Sequence, residues 1–308
     1  MKKYSKVLSL ALAFVMLFAL CACGAAETPA AEPTAAPAAD APASEAPAET
    51  EAPAESQGVL DQIKADGVLY VTLFPDFAPM EFVDSSKDGQ EQYVGFDVTL
   101  AKYIADYIGV DLVIEPMSFD ACQTAVYTGS VPMSISGYSW TEERGENYEI
   151  SDYYYAGDNE TEQVILIKKT DADKYASAED FSGVDVGAQN ASLQMNLLTS
   201  QLPDANPITI GDLGVGVLEL QNGSIEALAV AKGNAEMILD SNPDLMICPW
   251  EFEVAAEYEA NVILITKGET ALLNVVNEAL AKAYADGLYG TWYEDAVALA
   301  KAEVSVED

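Results

Sequence analysis

The chain has 308 residues, half of them apolar, which is enough for a leader, a tether and one large or two medium domains. Acidic residues outnumber basic ones 51 to 14 and the formal net charge is -37, which argues against nucleic acid and against adhesion to anionic lipid, because nothing here neutralises a run of phosphates. There is no histidine, so His-based triads, the usual zinc sites and imidazole acid–base chemistry are excluded, while an enzyme remains possible through carboxylates or tyrosines.

Residues 1–23 read as a signal peptide. Lys2, Lys3 and Lys6 precede an apolar run of 14 residues from Val7 to Leu20. A bilayer-spanning helix needs about 20 residues, so this run fits a signal h-region. Leu20-Cys21-Ala22-Cys23 resembles a bacterial lipobox. That resemblance implies that Cys23 becomes the lipidated first residue of the mature protein, anchored to the outer face of the cell membrane. Residues 24–57 are Ala, Pro and Glu with Thr and Ser, and contain no aromatic residue. Such a segment cannot bury enough surface to offset its ordering entropy, and its prolines and carboxylates favour an extended, disordered tether.

The globular part begins near Gly58. Val68 to Leu73 is expected to form a buried strand running into a turn, Phe74-Pro75-Asp76-Phe77-Ala78-Pro79. Gly95-Phe96-Asp97 precedes a helix on which Leu100, Ile104 and Ile108 share a face, with Asp97 as the expected N-cap. Leu112 to Ile114 is a strand, Ser118 opens a helix to Gly129, and Pro132 to Ser136 is a third strand. This β-α-β-α-β order favours a parallel sheet covered by helices. Ser136-Gly137-Tyr138-Ser139-Trp140-Thr141-Glu142-Glu143-Arg144 follows at the carboxyl end of that strand, where ligands collect in open α/β sheets. Arg144 is the only arginine in the chain. Its planar fork matches a carboxylate as a lysine does not. The competing reading is a surface residue pairing with Glu142 or Glu143.

A second run of the same kind follows. Strands are expected at Gln163 to Lys168, Val184 to Ala188, Ile225 to Val230, Met246 to Cys248 and Val262 to Ile265. Helices are expected from Asn190-Ala191-Ser192 through Leu202, from Asp212 to Gln221, from Thr270 to a Gly287 C-cap, and from about Tyr289.

The ordered motifs Pro75-Asp76-Phe77-Ala78-Pro79, Gly95-Phe96-Asp97, Phe119-Asp120, Ser139 with Thr141 and Arg144, Val186-Gly187-Ala188-Gln189, Gly223-Ser224-Ile225-Glu226-Ala227 and Asp286-Gly287-Leu288-Tyr289 resemble the family 3 extracellular solute-binding proteins of bacterial ABC transporters. The resemblance implies an α/β, two-lobed fold of the type II periplasmic-binding-protein kind, with parallel-rich sheets, helices on both faces and two hinge crossovers. Lobe 1 would comprise 58–156 plus 254–308, and lobe 2 would comprise 157–253. It implies capture of an amino acid or related small carboxylate by hinge closure, without catalysis, cofactor or metal, by a monomer that delivers to an ABC permease. Arg144 would hold the ligand carboxylate, with backbone groups of Gly137 and Ser139 beside it. Phe77 and Phe119 would sandwich the ligand. Ser192 would contribute from a helix start, and Tyr138 and Gln189 would lie near the cleft.

Two departures stand out. Ala231, followed by Lys232, occupies the position where the family carries an aspartate for the ligand ammonium, and Phe74 stands where a polar residue is common. Asp158, Glu160 and Glu162 are the candidates for a replacement carboxylate. Otherwise the ligand is not a standard amino acid, or Lys232 meets a second acidic group on it. A cyclohexadienyl dehydratase-like enzyme and a ligand-sensing domain are the alternatives on the same scaffold. Cys122 and Cys248 fall in different lobes by these boundaries and are read as two buried thiols.

Overall fold

The computed structural model describes residues 58–154, 162–258 and 260–304. The leader with Cys23, the tether, Asp158 and Glu160 lie outside them. The chain opens with helix α1 (Val59–Asp66) and strand β1 (Val68–Leu73). A small antiparallel sheet follows, of β2 (Asp76–Phe77), β3 (Glu81–Val83) and β4 (Tyr93–Val94). Then come α2 (Phe96–Ile108), β5 (Asp111–Pro116), α3 (Phe119–Tyr127), β6 (Met133–Ser139), α4 (Glu142–Asn147) and β7 (Glu149–Ile150). The second run is β8 (Gln163–Lys168), β9 (Asp185–Gln189), α5 (Leu193–Gln201), β10 (Asn206–Ile210), α6 (Leu213–Asn222), β11 (Ala227–Ala231), α7 (Lys232–Ser241) and β12 (Leu245–Ile247). The chain closes with β13 (Asn261–Ile265), α8 (Thr270–Ala285) and α9 (Leu288–Val304).

Two five-stranded sheets organise these elements. The first has the order β5-β1-β6-β13-β7. Its β1 runs parallel to β5 and β6, while β13 returns antiparallel to β6 and β7. Leu69, Val71 and Leu73 of β1 point into a core shared with Leu100 and Ile104 of α2 and with Leu272, Val276 and Leu280 of α8. Each such side chain, fully buried, contributes about 1.5–3 kcal/mol of transfer free energy. Cys122 and Val126 of α3 cover the opposite face with Tyr138. The C-terminal helices therefore pack on the first sheet.

The second sheet has the order β10-β9-β11-β8-β12. Ile165 and Ile167 of β8 face one core with Phe181 and Leu198, and Val164 and Leu166 face another with Leu220 and Leu228. Burial on both faces explains why β8 reads as an unbroken apolar run. Cys122 and Cys248 are free and buried.

Several local expectations change. Asp97 is not an N-cap: Gly95, at φ 123°, holds that position, and Asp97 is turned fully inward. A Cβ on Gly95 would lie 2.3 Å from the Met80 carbonyl, so only glycine fits there. β6 runs on to Ser139, three residues past the expected end. Its register against β13 slips between Val262 and Leu264, and Gly137 at φ 57° sits at this irregularity. Helix α7 had no sequence signal, since it starts Lys232-Gly233-Asn234 without a capping side chain.

Candidate functional site

One cleft lies between the two sheets, with about 640 Å³ of empty space including its open mouth. Arg144 stands at one end. Thr141 caps α4 by accepting a hydrogen bond from the Arg144 backbone N–H at 3.2 Å, which places Arg144 in the first turn of that helix. The Arg144 side chain is 4% exposed. Its Nη1 donates to the Ser139 carbonyl at 2.6 Å, its Nε to Gln123 Oε1 at 3.3 Å and its Nη2 to the Ala191 carbonyl at 2.9 Å. The guanidinium carbon lies 5.1 Å from the Tyr138 ring centre and 5.8 Å from that of Phe119. Among the described residues it forms no ion pair, so Glu142 and Glu143 are not its partners. Burial lowers its pKa to about 10, which leaves it charged at neutral pH. A buried cation whose described neighbours are carbonyls, an amide and ring faces has no counter-charge to displace when an anion approaches.

Carboxyl groups occupy other parts of the same cleft. Glu81 is fully buried, and its Oε1 accepts from Ser136 Oγ at 2.5 Å. Asp97 Oδ2 accepts from the Gly137 N–H at 2.8 Å and from Tyr154 Oη at 2.9 Å. Among the described residues Glu81 Oε2 and Asp97 Oδ1 meet no hydrogen-bond donor, and a proton held between these two neighbouring carboxyls would supply one. Burial raises the pKa of Asp97 to about 7, and burial with the neighbouring Asp97 charge raises that of Glu81 well above the usual range. Asp76 reaches across the cleft, where its Oδ2 accepts from the Leu213 N–H, the first residue of α6, at 2.6 Å. Burial raises the Asp76 pKa to about 7.

Further contacts join the two walls. Gln123 Nε2 donates to the Ala191 carbonyl at 3.4 Å, Asn190 Nδ2 to Asp120 Oδ2 at 3.1 Å and Asn234 Nδ2 to the Ala78 carbonyl at 3.1 Å. The cleft is thus bridged from both sides.

Of the residues singled out in the sequence, Phe77, Phe119, Gly137, Ser139, Arg144 and Gln189 line the cleft. Gly137 lines it with its N–H already committed to Asp97, so that group is not free for a ligand. A Cβ on Gly137 would lie 2.5 Å from Phe77 Cε1, so this glycine gives the Phe77 ring its place. Two residues do not line the cleft. Tyr138 is fully buried behind it, with its hydroxyl 2.8 Å from Ser134 Oγ. Ser192 is spent as the N-cap of α5, accepting from the Met195 N–H at 3.1 Å. Glu162, a candidate counter-charge, instead pairs with Lys232 at 2.7 Å, and neither lines the cleft. Sequence reasoning missed Asp76 and Glu81 as cleft carboxyls, along with Asn234 and Asn261. The available signal for Glu81 was a single charge inside the apolar run Met80 to Val83.

Comparison with known proteins gives this geometry a context. The profile of the bacterial extracellular solute-binding proteins, family 3, matches residues 69–296. The arginine-binding extracellular protein ArtP of Bacillus subtilis is 29% identical over 212 residues, covering 67% of this chain and 76% of that protein. A probable histidine-binding protein of Campylobacter jejuni is 26% identical over 223 residues, covering 72% of this chain and 82% of its own. Among solved structures, the amino acid ABC transporter substrate-binding protein AbpA of Streptococcus pneumoniae, bound to L-arginine, superposes with a TM-score of 0.70 at 31% identity, covering 78% of this chain and 98% of that one. The two-lobed α/β architecture of the type II periplasmic binding proteins holds for this chain. The chain belongs to the bacterial extracellular solute-binding proteins of family 3.

Proposed function

We propose that this protein captures an L-amino acid with a cationic side chain, L-arginine foremost, and delivers it to an ABC permease. The observation that carries the reading is the placing of a guanidinium and ionisable carboxyls in one cleft: Arg144, without an ion pair among the described residues, and the carboxyl groups of Glu81 and Asp76. The ligand carboxylate meets the guanidinium fork, a contact worth about 1.5–3 kcal/mol. The cationic side chain lies between the faces of Phe77 and Phe119 and draws the shared proton off the Glu81–Asp97 pair, leaving Glu81 as its counter-charge. The L-arginine-bound AbpA and the arginine-binding ArtP support this class of ligand.

In this reading the protein is a monomer that binds without turning its ligand over. Lobe 1 is 58–156 with 254–308, lobe 2 is 157–253, and they close as hinged bodies. The tether 24–57 holds them off the membrane, with lipid on Cys23 as the anchor. The test is a thermal melt of ligand-free protein against the standard L-amino acids. The cationic ones should raise the midpoint most. If neutral or acidic amino acids shift it more, the ligand class is wrong. Mass spectrometry of the mature N-terminus tests the anchor: an unmodified or differently cleaved terminus overturns it.

A further inference from the structure

Two buried amide side chains line the cleft with polar atoms that none of the described residues meets. Asn234, in the first turn of α7, is 4% exposed. Its Nδ2 donates to the Ala78 carbonyl across the cleft, while its Oδ1 has no partner. Asn261, the first residue of β13, is also 4% exposed, and its Nδ2 has no partner. Both residues line the same cavity as Arg144. Buried polar atoms are nearly always paired, so atoms like these call for a partner from outside the chain.

The two atoms have opposite hydrogen-bonding sense, and their places in the fold separate them. Asn261 stands opposite Ser139 in the β13–β6 register, and the Ser139 carbonyl takes Arg144 Nη1. An unmet donor there lies at the carboxylate end of the cleft. Asn234 lies on the wall formed by the second sheet and its helices. The cleft-lining residues of that wall are Gln163, Gln189 and Gln194 with leucines, Val230 and alanines, and none of them is a carboxylate. Ala231, three residues before Asn234, adds only a methyl group to the start of the same helix. The acceptor that this wall offers without a partner is therefore a neutral amide oxygen.

We propose that Asn234 Oδ1 accepts the hydrogen bond of the ligand's α-amino group, and that Asn261 Nδ2 is a second donor to its carboxylate beside Arg144. The backbone groups of the amino acid are then read by two neutral amides. This rests on the amino-acid reading above. A neutral acceptor holds an ammonium less tightly than a carboxylate does, so the protein should discriminate only modestly against ligands that lack the amino group.

The test is isothermal titration of the standard L-amino acid that binds most tightly, alongside its deaminated analogue, the same side chain on a carboxylate without the amino group. Asn234→Ala should weaken the amino acid about tenfold and the deaminated analogue less than about twofold. Asn234→Asp, nearly isosteric, should raise the preference for the amino form about tenfold or more. Asn261→Ala should weaken both ligands alike. If Asn234→Ala weakens both equally, or Asn234→Asp leaves the preference unchanged, Asn234 does not read the amino group. If Asn261→Ala leaves both affinities intact, Asn261 does not read the carboxylate. Should Asn234→Ala fail to fold, the Asp variant alone decides that arm. If no L-amino acid binds the wild type, this inference and the amino-acid reading fall together. If amino acids bind and the preferences do not move, only this inference falls.

Discussion

Arg144 and Ala191 come from opposite walls of the cleft, and the guanidinium Nη2 of one donates to the carbonyl of the other at 2.9 Å. The same carbonyl accepts from Gln123 Nε2 at 3.4 Å. The side chain proposed to hold the ligand carboxylate thus also ties the walls together, which links capture to closure. Arg144→Lys should lose both the fork and this bridge, weakening L-arginine binding by about 10- to 100-fold. Lys64→Arg, an exposed change on α1, should leave affinity as it is. Calorimetric titration of both variants checks this, and equal effects would remove Arg144 from the site.

Ala191 itself has φ 56°, a left-handed backbone that alanine rarely adopts. Glycine takes this conformation without the steric cost. Ala191→Gly should therefore keep the fold and stabilise it by up to about 1 kcal/mol, a rise of roughly 2–4 °C in the melting midpoint for a protein of this size. Ala191→Val should lower the midpoint. Differential scanning calorimetry of the two variants decides it, and a fall for the glycine variant would show that the alanine methyl contributes more than the backbone costs.

The buried carboxyls make the ligand-free protein sensitive to pH. Burial pushes the neighbouring carboxyls of Asp97 and Glu81 above the ordinary carboxylate range and that of Asp76 up to about 7, against ordinary values near 4 in the unfolded chain. Between about pH 4 and 7 the folded protein keeps protons that the unfolded chain has released, so stability from these groups falls as pH rises. The ligand-free midpoint should rise on acidification from pH 8 to about 5. Glu81→Gln should flatten that dependence. A cationic ligand favours the ionised carboxylate, so L-arginine affinity should increase over the same range as pH rises. A ligand-free midpoint that falls on acidification would contradict the shared-proton arrangement.

Gly137 is needed for shape. It has φ 57°, and a Cβ there would overlap Phe77 Cε1 at 2.5 Å. Gly137→Ala should destabilise the protein by about 1–3 kcal/mol through overpacking and backbone strain. By pushing the Phe77 ring aside it should also weaken ligand binding. Wild-type stability with wild-type affinity would mean that the ring has room to move.

Much of the fold follows from local pattern. β8 reads as an apolar run because both its faces are covered, and α2 carries Leu100 and Ile104 on one stripe. Arg144 stood out because it is the only arginine, and Phe77 and Phe119 because they sit in ordered motifs. Tyr138 and Ser192 were harder. Side-chain direction along β6 depends on where its register slips against β13, and a hydroxyl at a helix start serves as a cap or as a ligand contact with the same sequence signal. Glu81 was not legible because its partners are distant in the chain: Ser136 is 55 residues away, and Asp97 is brought in by the turn at Gly95. Asn234 and Asn261 carry no local mark. Their unmet atoms exist only once both sheets enclose the cleft.

Whether Arg144 and Glu81 hold the two ends of one ligand is read by isothermal titration of L-arginine into protein unfolded, dialysed and refolded to strip any retained ligand. One site per chain is expected, with binding that weakens at least about tenfold in both Arg144→Lys and Glu81→Gln and releases protons to the buffer. Folded protein that gives no binding heat with L-arginine or any other cationic amino acid, or variants that bind L-arginine as tightly as the wild type does, would contradict it.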